Sequence, residues 1–304
     1  MTRFEASMDA MATTYSVVLY GDSHDRMEEA ANAAFAEVER LDRLLSVYRG
    51  DSAWSEINRL AAQRPVAVAP EVFDLISRCL QYSRDSQGAF DITIGPLTKA
   101  WGFFKAAGRL PSRAEIATAL ARTGYRHIIL DHAAGTVQFD IDGVEINPGG
   151  IGKGYAVDRI VEILRRRGLT TALVMASSSS IYGMGTPPDE PRGWKIEIPD
   201  PTRPTLHSAT QVFLKDMSLS TSAGYVRTFR ADGRALSHII DPRTGYPAQG
   251  MLMVCVTAER TIDSEAWTKP FFIHGREWAA KNRPPRFRAF FCPDSPEADW
   301  GWLA

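Results

Sequence analysis

Three stretches of this 304-residue chain combine residue types that can do chemistry. The first is the glycine-rich turn Asn147-Pro148-Gly149-Gly150-Ile151-Gly152-Lys153-Gly154. It reads as the end of a strand and the opening of a helix, with Lys153 at the opening. Backbone N–H groups and the positive end of a helix suit a phosphate there. It is not a P-loop, because Asn147 stands in place of the first glycine and Gly154 in place of the Ser/Thr. The plain alternative is a tight turn that packs a helix on a sheet. The second stretch runs Ser237-His238-Ile239-Ile240-Asp241-Pro242-Arg243-Thr244-Gly245-Tyr246-Pro247. Its His238 is the best general-base candidate of the six histidines, with Asp241 and Arg243 at hand to set its charge. The alternative is turn chemistry at Asp241-Pro242 and Thr244-Gly245, with His238 a satisfied strand residue. The third is Gly88-Ala89-Phe90-Asp91-Ile92-Thr93-Ile94-Gly95-Pro96-Leu97, followed by Trp101-Gly102-Phe103. A lone Asp91 in an apolar run needs a partner or a ligand, since burying an unpaired carboxylate is costly. The alternative is a cap on the turn at Gly88.

Around these stretches the periodicity alternates between strand and helix. Thr14 to Tyr20 is β-branched and aromatic, which predicts a strand. Met27, Ala30, Ala34, Val38, Leu41 and Leu45 fall on one helical stripe. A second helix is expected over Glu71 to Ser86. A third follows Ser112, with Glu115 at capping-box spacing. Short strands are expected around Ile128 to Leu130 and Thr136 to Phe139. The glycine turn leads into a helix from Tyr155 to Arg167, closed by Gly168, and a buried strand over Thr171 to Met175. Proline-rich Met184 to Pro204 reads as a loop with one short strand, Trp194 to Ile198. Further strands are expected at Ala209 to Leu214, Met217 to Ser220, His238 to Ile240, Leu252 to Thr257 and Phe287 to Phe291, with a last helix from Glu265 to Ala280. The order lacks a regular βαβ beat. It implies an α+β fold with mixed, largely antiparallel sheets and packed helices.

Composition narrows the classes. The net charge of −1 argues against a dedicated nucleic-acid binder. Cys79, Cys255 and Cys292 lie far apart with no CxxC spacing, which argues against a zinc site or a disulfide framework. No apolar stretch reaches the roughly 20 residues of a membrane span, and Glu5 and Asp9 interrupt any signal-like run. The expectation is a cytoplasmic protein without a transmembrane segment.

Taken together and in order, the stretches resemble the FAD:protein FMN transferase family, the flavin transferases of the ApbE type. Matching segments also include Met11-Ala12-Thr13-Thr14-Tyr15, Leu45-Ser46-Val47-Tyr48, Asp51-Ser52, Asn58 and Leu219 to Tyr225, so that the resemblance covers about residues 8 to 280. It implies a T-fold-like architecture and a single catalytic domain over residues 1–304, in the form of two closely packed lobes with FAD between them. It implies transfer of FMN from FAD to a Ser or Thr hydroxyl of an acceptor flavoprotein, with release of AMP and normally with Mg²⁺. By resemblance Met11 and Tyr48 contact the flavin nucleotide, and Ala89, Phe90 and Asp91 line its path. Asn147 and Lys153 sit on the pyrophosphate side, with Ile240 beside it. His238, with Asp241, is the expected base for the incoming hydroxyl.

Two departures from the family pattern stand out. Ala176-Ser177-Ser178-Ser179-Ser180 replaces an alanine-glycine-glycine-aspartate run. At the family's metal position an Asp, followed four residues later by a Thr, becomes Glu265 and Lys269. Gly150 and Glu265 remain as candidate metal ligands, but Lys269 offers only donors. It is read either as a surface pair with Glu265 or as an ammonium in place of Mg²⁺, held by Glu265 and facing the nucleotide. The alternatives to flavin transfer are a flavin-binding carrier and an FAD pyrophosphatase with an altered metal site.

Overall fold

Along Thr13–Gly21 (β2), Tyr15, Val17 and Leu19 are fully buried on one face, while Val18 packs on the other. A strand covered on both faces belongs inside a sheet. The computed structural model describes residues 1–105, 108–203, 207–226, 228–231, 234–295 and 298–303. Its main sheet has eight antiparallel strands in the order β1 (Thr2–Ala10), β2, β6 (Thr171–Ala176), β7 (Ser180–Met184), β10 (Met217–Ala223), β13 (Met251–Ala258), β14 (Arg288–Pro293) and β15 (Gly301–Leu303). Three smaller sheets accompany it: β3 (Val66–Ala67), β5 (Thr136–Phe139) and β4 (Ile128–Asp131); β8 (Trp194–Pro199) with β9 (Ser208–Leu214); and β11 (Thr228–Ala231) with β12 (Arg234–Ser237).

The helices are α1 (His24–Leu45), α2 (Ala53–Leu60), α3 (Pro70–Asp85), α4 (Gly95–Ala100), α5 (Arg113–Leu120), α6 (Gly152–Arg166), α7 (Thr261–His274) and α8 (Arg276–Asn282). The apolar stripes of α1 and α6 bury Met27, Ala34, Val38, Val157 and Ile160 against Tyr15, Val17, Leu19, Ala172 and Val174. Helix α7 buries Ile262, Ala266 and Phe271 with Val254, Val256 and Phe291 of the sheet and with Leu75 and Ile76 of α3. It is covered nearly all round, the signature of an interior helix. The opposite sheet face is closed by Trp194, Ile198, Val212 and Leu214 of the β8–β9 ribbon. This is the α+β arrangement expected, with every strand pair among the described residues antiparallel.

Several expectations are corrected. No strand leads into Asn147; residues 144–147 are unladdered, and the Asn147 N–H donates to Ile92 O at 2.7 Å. The strand expected at His238 ends at Ser237, and Ile240 makes only a single bridge, to Pro247. The expected last helix is two, broken at Gly275 (φ 81°), and the first starts earlier because the Asp158 carboxylate accepts from the N–H groups of Thr261 and Ile262. Strand β1 is an edge strand whose exposed Arg3, Glu5 and Asp9 alternate with half-buried Phe4, Ala6 and Met8. Those same charges hid it in the sequence. The capping box at Ser112 and Glu115 is present as expected.

Candidate functional site

The segment 86–95 stitches the two chemical turns together. Phe90 is buried, and its Cε2 lies 3.2 Å from where a Gly150 side chain would begin. Gly88 faces the Arg243 stem at 3.6 Å, and Gly95 abuts the Glu145 carbonyl so closely that a Cβ there would sit 2.7 Å from it. Asp91 holds this segment by accepting from Thr93 N–H (2.8 Å), Thr93 Oγ1 (2.6 Å) and Tyr125 N–H (2.6 Å). Burial raises its pKa against those donors. The partner that Asp91 needed is therefore protein, and it caps the turn after it rather than the one at Gly88. Ala89 is buried beside it.

At the glycine turn, Asn147 Oδ1 accepts from Gly149 N–H at 2.8 Å and fixes the bend. Met11, at the β1–β2 turn with φ 50°, brings its Cε to 3.3 Å from the Gly152 Cβ position. Its sulfur accepts the Tyr15 hydroxyl at 3.3 Å. Lys153, in the first turn of α6, places Nζ 3.1 Å from Glu265 Oε1. Glu265 Oε2 accepts the Gly154 N–H in a very short hydrogen bond. Lys269 donates from Nζ to its own helix's Glu265 carbonyl (2.8 Å) and to the Gly150 carbonyl (3.3 Å). Its pKa is lowered to about 8, chiefly by burial, with Glu265 opposing and Lys153 reinforcing the shift. The carboxylate of Glu265 thus goes to Lys153, and its backbone carbonyl rather than its side chain holds Lys269.

The second turn is a network of its own. Asp241 is buried, and it accepts from Arg243 Nε (2.9 Å), Arg243 Nη2 (2.8 Å) and the Arg243 N–H (3.0 Å). Arg243 Nη1 lies 3.1 Å from His274 Nε2, at the end of α7. The carboxylate expected to tune His238 is thus engaged by Arg243. His238 is half-buried, edge-on to Phe103 with ring centroids 6.3 Å apart. Ile240 puts its side chain into an apolar cluster with Leu97, Trp101 and Ile116. Tyr48 is the most open of the expected residues, at 67% exposure; its ring lies tilted against Phe104 with centroids 4.8 Å apart, and its hydroxyl donates to Phe104 O.

Sequence reasoning missed three contributors. Tyr15 sits beneath Met11, and Asp158 ties α6 to α7. A row of buried hydroxyls runs from β10 to α7: Ser220 bonds Ser264, and Ser222 donates to Thr268, which donates to the Glu265 carbonyl. Asp158 had a legible signal. It lies four residues after Gly154 and so on the same inward face of α6.

Comparisons with known proteins place the chain in a family. The ApbE family model matches residues 11–291, and the chain belongs to that family. A Klebsiella pneumoniae protein named FAD:protein FMN transferase is 32% identical over 277 residues, spanning 88% of this chain and 84% of its own. A Treponema pallidum protein of the same name is 32% identical over 86% of this chain and 75% of its own. Among solved structures, the ApbE protein of Thermotoga maritima superposes with a TM-score of 0.88 at 29% identity, covering 96% of this chain and 95% of its own. The Pseudomonas stutzeri flavinyl transferase ApbE, apo form, gives 0.85 at 29% identity over 99% and 94%.

The family resemblance implies Mg²⁺, and the residues present do not fit it. Lys153 already pairs with the one carboxylate, and the Gly150 carbonyl is taken by Lys269. Among the described residues no group of three or more His, Cys, Asp or Glu gathers as a cation cage. Among them, too, no helix is long and apolar enough to cross a membrane.

Proposed function

We propose that this chain is an FAD:protein FMN transferase of a single catalytic domain, with FAD held between its glycine turn and its Ser237–Pro247 turn. The observation that carries this reading is a half-buried cationic corner, Lys153 on the Glu265 carboxylate and Lys269 on the Gly150 carbonyl, joined through one segment to a second polar turn that bears His238. A pyrophosphate needs charge neutralisation and in-line positioning more than covalent help. The two ammonium groups hold its oxygens, and Asn147 keeps the turn in shape. Met11 and Phe90 give the nucleotide apolar walls, and Tyr48 with Phe104 offers flat aromatic surface for the flavin ring.

In the reaction an acceptor Ser or Thr oxygen bonds to the FMN phosphorus. The bond from that phosphorus to the bridging oxygen breaks, and the electron pair leaves with AMP. His238 takes the hydroxyl proton as the new P–O bond forms. The Asp241–Arg243–His274 network fixes the turn that carries it. A second reading, a flavin carrier, draws on the poor fit for Mg²⁺. Mass spectrometry of an acceptor flavoprotein incubated with the chain and FAD separates them. Transfer gives an FMN phosphoester on the acceptor with one AMP per event, and hydrolysis gives free FMN with AMP. Intact FAD and unmodified acceptor, with or without Mg²⁺, would overturn the enzyme reading.

A further inference from the structure

Lys269 lies one helical turn after Glu265 on a helix covered nearly all round, so its side chain has few places to go. It reaches the carbonyl of Glu265 at 2.8 Å and crosses to the carbonyl of Gly150 at 3.3 Å. Position 150 carries no side chain, and the lysine stem passes it at van der Waals distance. A Cβ there would sit 3.8 Å from the lysine Cε and 3.2 Å from Phe90. Two carbonyl oxygens from different elements thus converge on one ammonium. An ammonium has three N–H bonds, and these acceptors use two. The third is left for an oxygen of a bound nucleotide.

Glu265 completes the arrangement from the other side. It is 2% exposed, its Oε2 is tied to the Gly154 N–H, and its Oε1 faces Lys153. The corner thus holds one buried carboxylate and two ammonium groups, a surplus of one positive charge before any ligand arrives. A divalent ion placed on Gly150 O and Glu265 would have to expel Lys269 from both carbonyls and stand beside Lys153. The Coulomb cost of that crowding in a buried site is high.

We infer that Lys269 is a built-in monovalent cation standing where the family resemblance implies a divalent metal, so that this chain holds the pyrophosphate of FAD without metal. The inference rests on the proposed FAD site. A lysine ammonium acts as a point charge on phosphate oxygens. It supplies less charge than a divalent ion, so binding is metal-independent and turnover slow.

The test is FAD affinity of the unaltered chain by fluorescence titration, in excess chelator and in millimolar Mg²⁺, with Mn²⁺ capture followed by electron paramagnetic resonance. The expected result is equal affinity within about twofold, and a free Mn²⁺ signal no smaller than that of FAD alone. Glu265→Asp with Lys269→Thr should reverse both, with one Mn²⁺ captured per chain and affinity at least tenfold weaker in chelator. Loss of affinity of tenfold or more on chelation of the unaltered chain would overturn the inference, as would one Mn²⁺ per chain displaced by Mg²⁺. Either of these leaves the FAD site standing. Absence of FAD binding in both conditions would overturn the site and this inference with it. The two measurements on the unaltered chain decide the matter even if the double variant does not fold.

Discussion

At the glycine turn, Glu265 is buried, Lys153 and Lys269 are partly buried, and the Gly150, Gly154 and Glu265 backbones complete their contacts. Across the site, Tyr48 stands two-thirds exposed on Phe104, and His238 is half-buried against Phe103. The first region is anchored to core helices α6 and α7. The second hangs on the loops that follow α1, α4 and β12. In the proposed reaction the contrast separates two tasks. Charge on a pyrophosphate is best met by groups that are already in place, because they need no reorganisation as the reaction proceeds. A flavin ring and an acceptor protein must enter and leave, which suits an open aromatic rim.

The largest effect should come from the open side. His238→Ala is expected to lower turnover by about 10²–10⁴-fold with FAD affinity nearly unchanged. Parent-rate AMP release by the variant would make His238 structural and put the proton acceptor elsewhere.

A smaller effect probes how the buried side is held. Asp158 has a pKa raised to about 6, mainly by burial, against the Thr261 and Ile262 N–H groups and Arg260 at 3.6 Å. Arg78 and Tyr182 also sense it. A carboxyl whose pKa is higher folded than unfolded favours the native state while both forms are protonated. That contribution is lost as pH rises from about 4 to about 6, and it is flat above. The destabilisation caused by Asp158→Asn should therefore shrink across that window, by up to about 3 kcal/mol. Urea titrations of both proteins at pH 4.5 and 7.5 check this, and a penalty that grows with pH contradicts it.

The smallest effect expected is that of Lys153→Ala, about a tenfold loss of FAD affinity, since Lys269 remains in the corner. An unchanged titration curve would show that the buried side does not hold the nucleotide.

Much of this was legible in the sequence where a local rule acts alone. The stripe on α1, the capping box at Ser112 and the strand around Val17 each follow from spacing. The glycine turn that opens α6, with Lys153 in its first turn, was legible too. What escaped were pairings fixed by tertiary contact. Lys269 was legible as a departure, but the carbonyl of Gly150 that receives it lies 119 residues away. Helix α7 begins before its expected start because its cap comes from α6, which no local window contains.

Gly154 carries a consequence for how the protein opens. A Cβ at this position would lie 2.5 Å from the Thr261 carbonyl and 2.9 Å from Glu265 Oε2, so α6 meets α7 backbone to backbone. The Gly154 amide is at once a donor in the site and a point of contact between two core helices. To expose it to solvent, the helices must part, and parting them breaks the main core. Its hydrogen should exchange with solvent through events close to complete unfolding, whereas the amides around Tyr48 and Phe104 exchange through small local openings. The phosphate-type corner and the fold then form and dissolve as one cooperative unit, and the molecule has no state in which it is folded but lacks that corner.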